Sequence, residues 1–361
     1  MPARQWTNQD VYDLLCKIDR GYHPDEAERA MLETREELNL WNKKLTRMPR
    51  SVGRLRALRV LNLSDNQISK LPSAIGDLTN LTVLSLAYTQ IKTLPEQIGQ
   101  LNSLQTLNLK YTPLTVLPDS IGQLTRLQTL DLFDTQITAL PDSIGQLTNL
   151  QRLDLSYTPI TALPDSIGQL TSLQTLDMRG SKIAALPESI GQLMSLQTLG
   201  LSGTKITTLP ESIGQLTSLQ TLDLFDTRIT ALPESVGQLT SLEWMDLDGT
   251  EITALPAWIG ELPALQKLDL SNLTIPEIPR SLAMRGLPFV EKSLDDLNFG
   301  IRIKYVTLTE QDISVFLEHP ELIPSLYKDQ THVPECRVLF LGDGDSGKTY
   351  TIRRIQNDGK K

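Results

Sequence analysis

Near the C-terminal end, Gly342, Asp343, Gly344, Asp345, Ser346, Gly347, Lys348 and Thr349 follow the spacing G-x-x-x-x-G-K-[ST]. The apolar run Arg337-Val-Leu-Phe-Leu341 before them has strand composition, and 350–356 has helix composition. That is the setting in which glycines let backbone N–H groups wrap phosphate oxygens while a helix N-terminus adds its positive dipole. In such a loop Lys348 would reach the outer phosphates and Thr349 would ligate Mg²⁺. Asp343 and Asp345 add negative charge beside a polyphosphate, but backbone N–H groups make the contacts that matter. Gly344-Asp345-Ser346-Gly347 also copies the surroundings of a nucleophilic serine, but no matching His/Asp framework accompanies it.

A second set of residues suits recognition rather than reaction. One column reads Asn62, Ser85, Asn108, Asp131, Asp154, Asp177, Gly200, Asp223, Asp246 and Asp269, recurring every 23 residues. Its neighbour includes Lys110, Phe133, Ser156, Arg179, Ser202, Phe225, Asp248 and Ser271. On strands stacked about 4.8 Å apart, adjacent aspartates repel by roughly 1 kcal/mol per pair in water. Arg152, Arg179 and Lys267 could relieve that from within, and a basic partner could supply the rest. Tyr88, Tyr111, Phe133, Tyr157, Phe225 and Trp244 fall on the same side and are of the type that anchors protein interfaces. The competing reading is a solvated face whose columns repeat by duplication alone.

The elements that must position these columns follow from the period. Residues 127–149 read L-x-x-L-x-L-x-x-T-x-I-x-x-L-P-x-S-I-G-Q-L-T-x, and copies start at Leu58, Leu81, Leu104, Leu127, Leu150, Leu173, Leu196, Leu219, Leu242 and Leu265. A weaker copy from Arg35 carries Leu38, Leu40, Leu45, Met48 and Pro49, giving eleven coils in one expected continuous array. Leu130 and Leu132 share the inward face of a short strand, and Leu140-Pro141 ends it. A short helical turn through Asp142, Ser143 and Ile144 follows, with Gly145 suited to a backbone turn. One unit buries too little to offset the ordering of its own residues, so the coils must stack. Position nine, Asn66 once and then Thr89, Thr112, Thr135, Thr158, Ser181, Thr204, Thr227 and Thr250, is expected to bond the turn backbone beneath and above it.

Residues 11–18 and 24–37 have helical composition, with Leu14, Leu15, Ile18, Ala27, Met31 and Leu32 available to cover the first coil. The period fails after Leu270, where Leu273 replaces the threonine and Pro276 and Pro279 crowd the next turn. Beyond it 291–298 reads as a helix, 301–308 as an alternating strand and 309–318 as an amphipathic helix opened by Thr309 and Asp312. The resulting division is a helical cap over 1–34, a solenoid over 35–280, a cap and connector over 281–335, and a strand, phosphate loop and helix start over 336–361.

The chain has 361 residues and a net charge of -9, which argues against nucleic-acid and anionic-membrane surfaces. Cys16 and Cys336 stand far apart, and His23, His319 and His332 lack metal-ligand spacing. No basic leader and no apolar run approaching a bilayer span is present, so a reduced, cytoplasmic setting is expected.

The copies resemble the leucine-rich repeat family, and their LPxSIGQL half resembles its intracellular, Ras-signalling-associated and bacterial branches. The resemblance implies an α/β solenoid, a horseshoe, with a helical N-terminal cap. Repeats, connector and phosphate loop together resemble the bacterial Roco proteins, in which a Ras-like GTPase domain follows the repeats. That resemblance implies β/γ-phosphate contacts for Lys348 and a Mg²⁺ contact for Thr349, with GTP and Mg²⁺ as cofactors of a full-length protein. Only twelve residues follow Thr349, so the switch threonine, the Asp-x-x-Gly segment and the Asn-Lys-x-Asp base reader are missing. No catalysis, and no cofactor, is therefore expected of the chain as given. The expected function is a protein-interaction arm that grips a partner on its concave face, with a downstream GTPase domain as a further contact. The alternatives are a GTP-hydrolysing enzyme if the chain continues, and a free-standing scaffold with a vestigial phosphate loop.

Overall fold

The structure, a computed structural model, describes residues 6–283, 285, 287, 289–290, 299–303 and 307–308. The chain divides into two compact units, Met1–Leu196 and Gln197–Lys361.

The first unit opens with α1 (Asn8–Ile18) and α2 (Glu26–Thr34). Each starts at a reciprocal cap: Asp10 N–H donates to the Thr7 hydroxyl while the Asp10 carboxylate accepts from Thr7 N–H, and Asp25 and Glu28 repeat the exchange. Val11, Leu14 and Leu15 are buried at helical spacing. Just past α1 the Asp19 carboxylate accepts from Arg50 N–H (2.8 Å) and Ser51 N–H (2.9 Å), and the Ser51 hydroxyl donates to the Leu15 carbonyl (2.7 Å). These bonds fasten the helical cap to the first coil. Leu14, Leu15 and Leu32 are buried as expected, and Ile18 and Met31 are half-buried. Ala27 is exposed instead, because five residues from Leu32 it lies towards the other side of α2.

Seven three-residue strands follow: β1 (Glu37–Asn39), β2 (Val60–Asn62), β3 (Val83–Ser85), β4 (Thr106–Asn108), β5 (Thr129–Asp131), β6 (Arg152–Asp154) and β7 (Thr175–Asp177). Consecutive strands pair in parallel with one repeat of offset, so Leu107, Leu130 and Leu153 stand in line. Their side chains are fully enclosed, as are Leu109, Leu132 and Leu155 on the same inward face. After each Leu-Pro the chain makes a 3₁₀ turn such as Asp142–Gln146, starting where proline needs no donor.

One local expectation is sharpened and another corrected. Gly145 lies within the 3₁₀ turn, as expected of a residue suited to a backbone turn. A Cβ there would stand 2.6 Å from both the Ser166 carbonyl oxygen and Gln169 Oε1, so glycine is required by the closeness of the next coil. The position-nine threonines do not bridge upwards and downwards either. Thr89, Thr112, Thr135 and Thr158 each donate to the carbonyl three residues earlier in their own coil. Asn66 has a side chain long enough to reach the coil before, accepting from Lys43 and Leu45 N–H and donating to the Leu40 carbonyl there, while also donating to the Leu63 carbonyl of its own coil.

The second unit continues the pattern with β8 (Thr198–Gly200), β9 (Thr221–Asp223), β10 (Trp244–Asp246) and β11 (Lys267–Asp269), again parallel. β12 (Thr274–Ile275) stops before Pro276, and the single-turn helix α3 (Arg280–Ala283) begins after Pro279. β13 (Phe289–Val290) and β14 (Gly300–Arg302) then join the sheet. β14 pairs with β11 through Leu268 and Ile301, so Ile301 takes the place a leucine holds in the repeats and is fully enclosed. β15 (Thr307–Leu308) pairs with β12. The single strand expected over 301–308 is thus two short strands in two sheets. The helices expected over 291–298 and 309–318, and the phosphate loop over 336–361, lie outside the described residues. No helix among the described residues is long and apolar enough to cross a membrane.

Candidate functional site

In both units the inner face is built by the residue between the two buried leucines of each strand and the two residues that follow. Asp131, at the end of β5, accepts from Phe133 N–H through Oδ1 (3.1 Å). Asp154 accepts from Ser156 N–H (2.9 Å), Asp177 from Arg179, Asp223 from Phe225, Asp246 from Asp248 and Asp269 from Ser271. The aspartate column therefore has a structural task that a solvated duplicated face would also keep: each carboxylate closes the turn that ends its strand. Asn62 and Asn108 do the same without charge.

That turn places the third residue after the closing side chain in the left-handed region, at Asp65, Tyr88, Tyr111, Asp134, Tyr157 and Gly180 in the first unit and Gly203, Asp226, Gly249 and Asn272 in the second. Glycine, asparagine and aspartate tolerate this conformation, whereas tyrosine has no local hydrogen bond to offset a cost of about 1–2 kcal/mol. Tyr88, Tyr111 and Tyr157 nevertheless hold φ of 55°, 56° and 57°. Their rings form a row. Tyr88 stacks on Tyr111 at 4.4 Å between centroids, Tyr111 meets Phe133 at 5.0 Å, and Phe133 meets Tyr157 edge-on at 5.2 Å. In the coil where Asp134 takes the left-handed position, Phe133, one residue earlier, supplies the missing ring. Beyond the last ring stands Gly180, where a Cβ would lie 2.7 Å from Tyr157 Cδ1, so the row also needs that glycine. Tyr88 and Tyr157 remain about half exposed, at 51% and 59%.

Of the three cations the sequence offers for relief from within, Arg179 supplies it. Arg179 pairs with Asp177 of its own strand end, Nη2 to Oδ2 at 2.6 Å. Arg152 and Lys267 make no ion pair among the described residues. The relief in the second unit comes from Arg302 on β14, whose Nη1 lies 2.8 Å from Asp269 Oδ2 and 3.6 Å from Asp248 Oδ2. Asp248 also accepts from Asn272 Nδ2 at 2.6 Å. Burial pushes the Asp246 carboxyl up to about 7; the Asp248 N–H pulls it down, and the charges of Asp269, Asp223 and Asp248 add to the rise. Burial likewise raises Asp131, with the Phe133 N–H opposing, the Asp154 charge adding and the Lys110 charge opposing. The Tyr111 phenol is raised by burial and by its neighbour Tyr88.

Of the residues expected on this face, Tyr88, Tyr111, Phe133 and Tyr157 come together, beside Asp131 and Asp154 on β5 and β6. Phe225 is exposed, and Trp244 on β10 is half-buried with its indole N–H unpartnered among the described residues. Gly342, Asp343, Gly344, Asp345, Ser346, Gly347, Lys348 and Thr349 lie outside the described residues. Sequence reasoning missed Arg302, which sits beyond the last repeat. It also missed the left-handed turn, although the recurrence of Gly, Asp and Asn at position eight was a signal for it.

This repeat geometry agrees with the comparisons. The family described as leucine-rich repeat region matches residues 37–108, 75–157 and 188–283, more than half of the chain, and a two-copy leucine-rich repeat matches 148–190. The chain belongs to the leucine-rich repeat family. A leucine-rich repeat protein of Leptospira interrogans is similar at 29% identity and a TM-score of 0.63, covering 81% of this chain and 82% of that one. The plant peptide hormone receptor RGFR1, solved in complex with RGF2, is 31% identical over 76% of this chain and 44% of the receptor, with a TM-score of 0.61. The functional domain of InlJ from Listeria monocytogenes shares the fold, at 24% identity over 80% of this chain and 67% of that one, with a TM-score of 0.62. No curated protein matches the chain.

Proposed function

We propose that this chain is a protein-interaction module that holds a protein partner on the inner face of its first unit, anchored on Tyr88, Tyr111, Phe133 and Tyr157. One observation carries the reading. Three tyrosines keep a left-handed backbone at positions where other coils place glycine, aspartate or asparagine, so the turn does not require them. What they supply is a contiguous, partly exposed aromatic surface of the type that forms the energetic centre of protein interfaces. The acidic column beside it favours a basic partner. Leucine-rich repeat scaffolds suit such a task, and the solved complex of RGFR1 with RGF2 is an instance in another protein.

In the wider protein, this module is the repeat arm of a cytoplasmic Roco-like regulatory GTPase, with 336–361 opening the nucleotide domain. The sequence motif ending in Lys348 and Thr349 favours that context. The direct test is affinity capture with the intact chain against Tyr88→Ala, Tyr111→Ala and Tyr157→Ala combined. The same partners held by the intact chain and lost from the variant support the reading, and equal capture by both refutes it. GTP affinity that vanishes in Lys348→Ala would support the nucleotide context, and its absence from the intact chain would remove it.

A further inference from the structure

We infer that two copies of this chain associate edge to edge through β1, the two strands running antiparallel about a two-fold axis at Asn39. This goes beyond the interaction reading above and does not rest on it.

β1 pairs with β2 on one side, and no described strand lies on its other side. The repeat shows which groups face that open side. At the equivalent places one coil later, Val60 N–H donates to the Glu36 carbonyl (3.1 Å), while the Asn62 and Ser64 carbonyls accept from Leu40 N–H (2.8 Å) and Asn42 N–H (3.0 Å). In the first coil these places belong to Glu37, Asn39 and Trp41, all exposed. Two of their backbone groups are closed locally: the Glu37 carbonyl accepts from Arg35 Nε (2.6 Å), and Trp41 N–H donates to Asn39 Oδ1 (3.0 Å). Glu37 N–H, Asn39 N–H and the carbonyls of Asn39 and Trp41 have no hydrogen bond among the described residues. An extended edge with open donors and acceptors is a template for another strand.

The open groups are complementary to themselves. In an antiparallel pair centred on Asn39, the two Asn39 residues exchange N–H and carbonyl, and Glu37 N–H of each copy donates to the Trp41 carbonyl of the other. The pair of groups that this register would set against each other next, Trp41 N–H and the Glu37 carbonyl, is the pair already closed within each copy. Charge selects the same direction. Glu36 and Glu37 stand at one end of the edge and Lys43 and Lys44 at the other, all exposed. An antiparallel copy brings the lysines of one chain beside the glutamates of the other, whereas a parallel copy sets like charges side by side. Glu37, Lys43 and Lys44 make no ion pair among the described residues, and Glu36 meets Arg59 only at 3.9 Å on the surface. Short charged edges keep strands apart when like charges meet, but here the two-fold reverses the order of the signs. Trp41 adds apolar contact that so short a ladder needs: it is 55% exposed, where the next two coils carry Ser64 and Ala87, and it falls opposite Glu37 of the other copy.

The test is sedimentation equilibrium of the intact chain from micromolar to near-millimolar concentration, where a reversible monomer–dimer equilibrium is expected. Glu37→Pro should weaken it at least tenfold. Glu37 is the first residue of β1 and its N–H faces the open side, so proline removes a donor that the fold does not use, and an unchanged thermal midpoint checks this. A second pair of variants tests direction without touching the backbone. Glu36→Lys with Glu37→Lys, and Lys43→Glu with Lys44→Glu, should each self-associate at least tenfold more weakly than the intact chain, and an equimolar mixture of the two should recover a mixed dimer. A chain that stays monomeric throughout overturns the inference and shows the charged edge to be a barrier. A dimer indifferent to Glu37→Pro and to both charge variants overturns it as well, since another face then holds the copies together. Neither result bears on the interaction reading, because none of these variants alters Tyr88, Tyr111, Phe133 or Tyr157.

Discussion

The inner faces of the two units use one turn and one aspartate column to different ends. In the first unit the column adjoins a row of four aromatic rings, and Asp131 and Asp154 have no ion pair among the described residues, Lys110 acting on Asp131 through its charge alone. In the second, a cation from outside the period enters: Arg302, on a strand beyond the last repeat, pairs with Asp269 of the column and with Asp248 of the column beside it. Asp269 and Asp248 are 5% and 7% exposed, so these charges lie inside the unit rather than on a surface that meets a partner. A repeated scaffold can therefore present the same backbone twice and carry a contiguous row of rings, among the described residues, only once. A segment outside the period decides which column gains a cation.

Removing Arg302 is the strongest way to break that contrast. Arg302→Ala leaves two enclosed carboxylates without their cation, and a loss of about 3 kcal/mol in the stability of the second unit is expected. Urea denaturation, with hydrogen exchange at β10 and β11, reads it; a change below measurement would show that the pair contributes no net stability.

Asp246 gives the next effect, and its sign can be worked out. Its carboxyl is pushed up to about 7 when folded and returns to the ordinary aspartate value of 3.8 when unfolded, so between those values the folded chain binds the extra proton. Its contribution is full below about 4 and is lost as pH rises towards 7. Stability should thus fall over that window, and Asp246→Asn, which keeps the turn-closing acceptor, should flatten the slope and stabilise the protein at neutral pH. Thermal midpoints measured from pH 4 to pH 8 check this; an unchanged slope in the variant removes Asp246 as the cause.

The rings of the first unit should behave the other way, mattering to binding more than to folding. Replacing Tyr88, Tyr111 and Tyr157 by glycine relieves about 1–2 kcal/mol of left-handed strain at each position. It also removes ring contacts worth about 0.5–1.5 kcal/mol per pair. Chemical denaturation should find the net change within about 1 kcal/mol per substitution, while partner capture is lost. A large drop in stability would show that the row belongs to the fold. Smallest of all, Arg179→Ala removes a half-exposed pair with Asp177 and should cost less than about 1 kcal/mol, shrinking further in high salt.

Much of this architecture was legible in the residues. Leu130, Leu132, Ile137, Leu140 and Ile144 could be placed inside because a period of fixed length forces the same side chain to the same place in every coil. Position nine was read correctly as structural, and only its bonding partners differed, because a threonine hydroxyl on a short stem reaches its own turn and no farther. Gly145 was placed in a turn, but the reason for a glycine was not legible, because a sequence shows which residue lacks a Cβ but not which neighbour comes close enough to need that absence. The ring row was half legible: the aromatics were named, but their contact depends on a left-handed turn that lets Phe133 fill the gap left by Asp134.

The period alone determined coil length, strand direction, inward leucines and the outward columns, since each follows from local alternation and from self-similarity. Tertiary structure decided which carboxylates are relieved and which remain open, because Arg302 comes from β14, more than thirty residues past Asp269, and enters the column only through pairing that no repeat encodes. Local chemistry is written along the chain, whereas neutralisation of a buried charge depends on what the fold brings next to it.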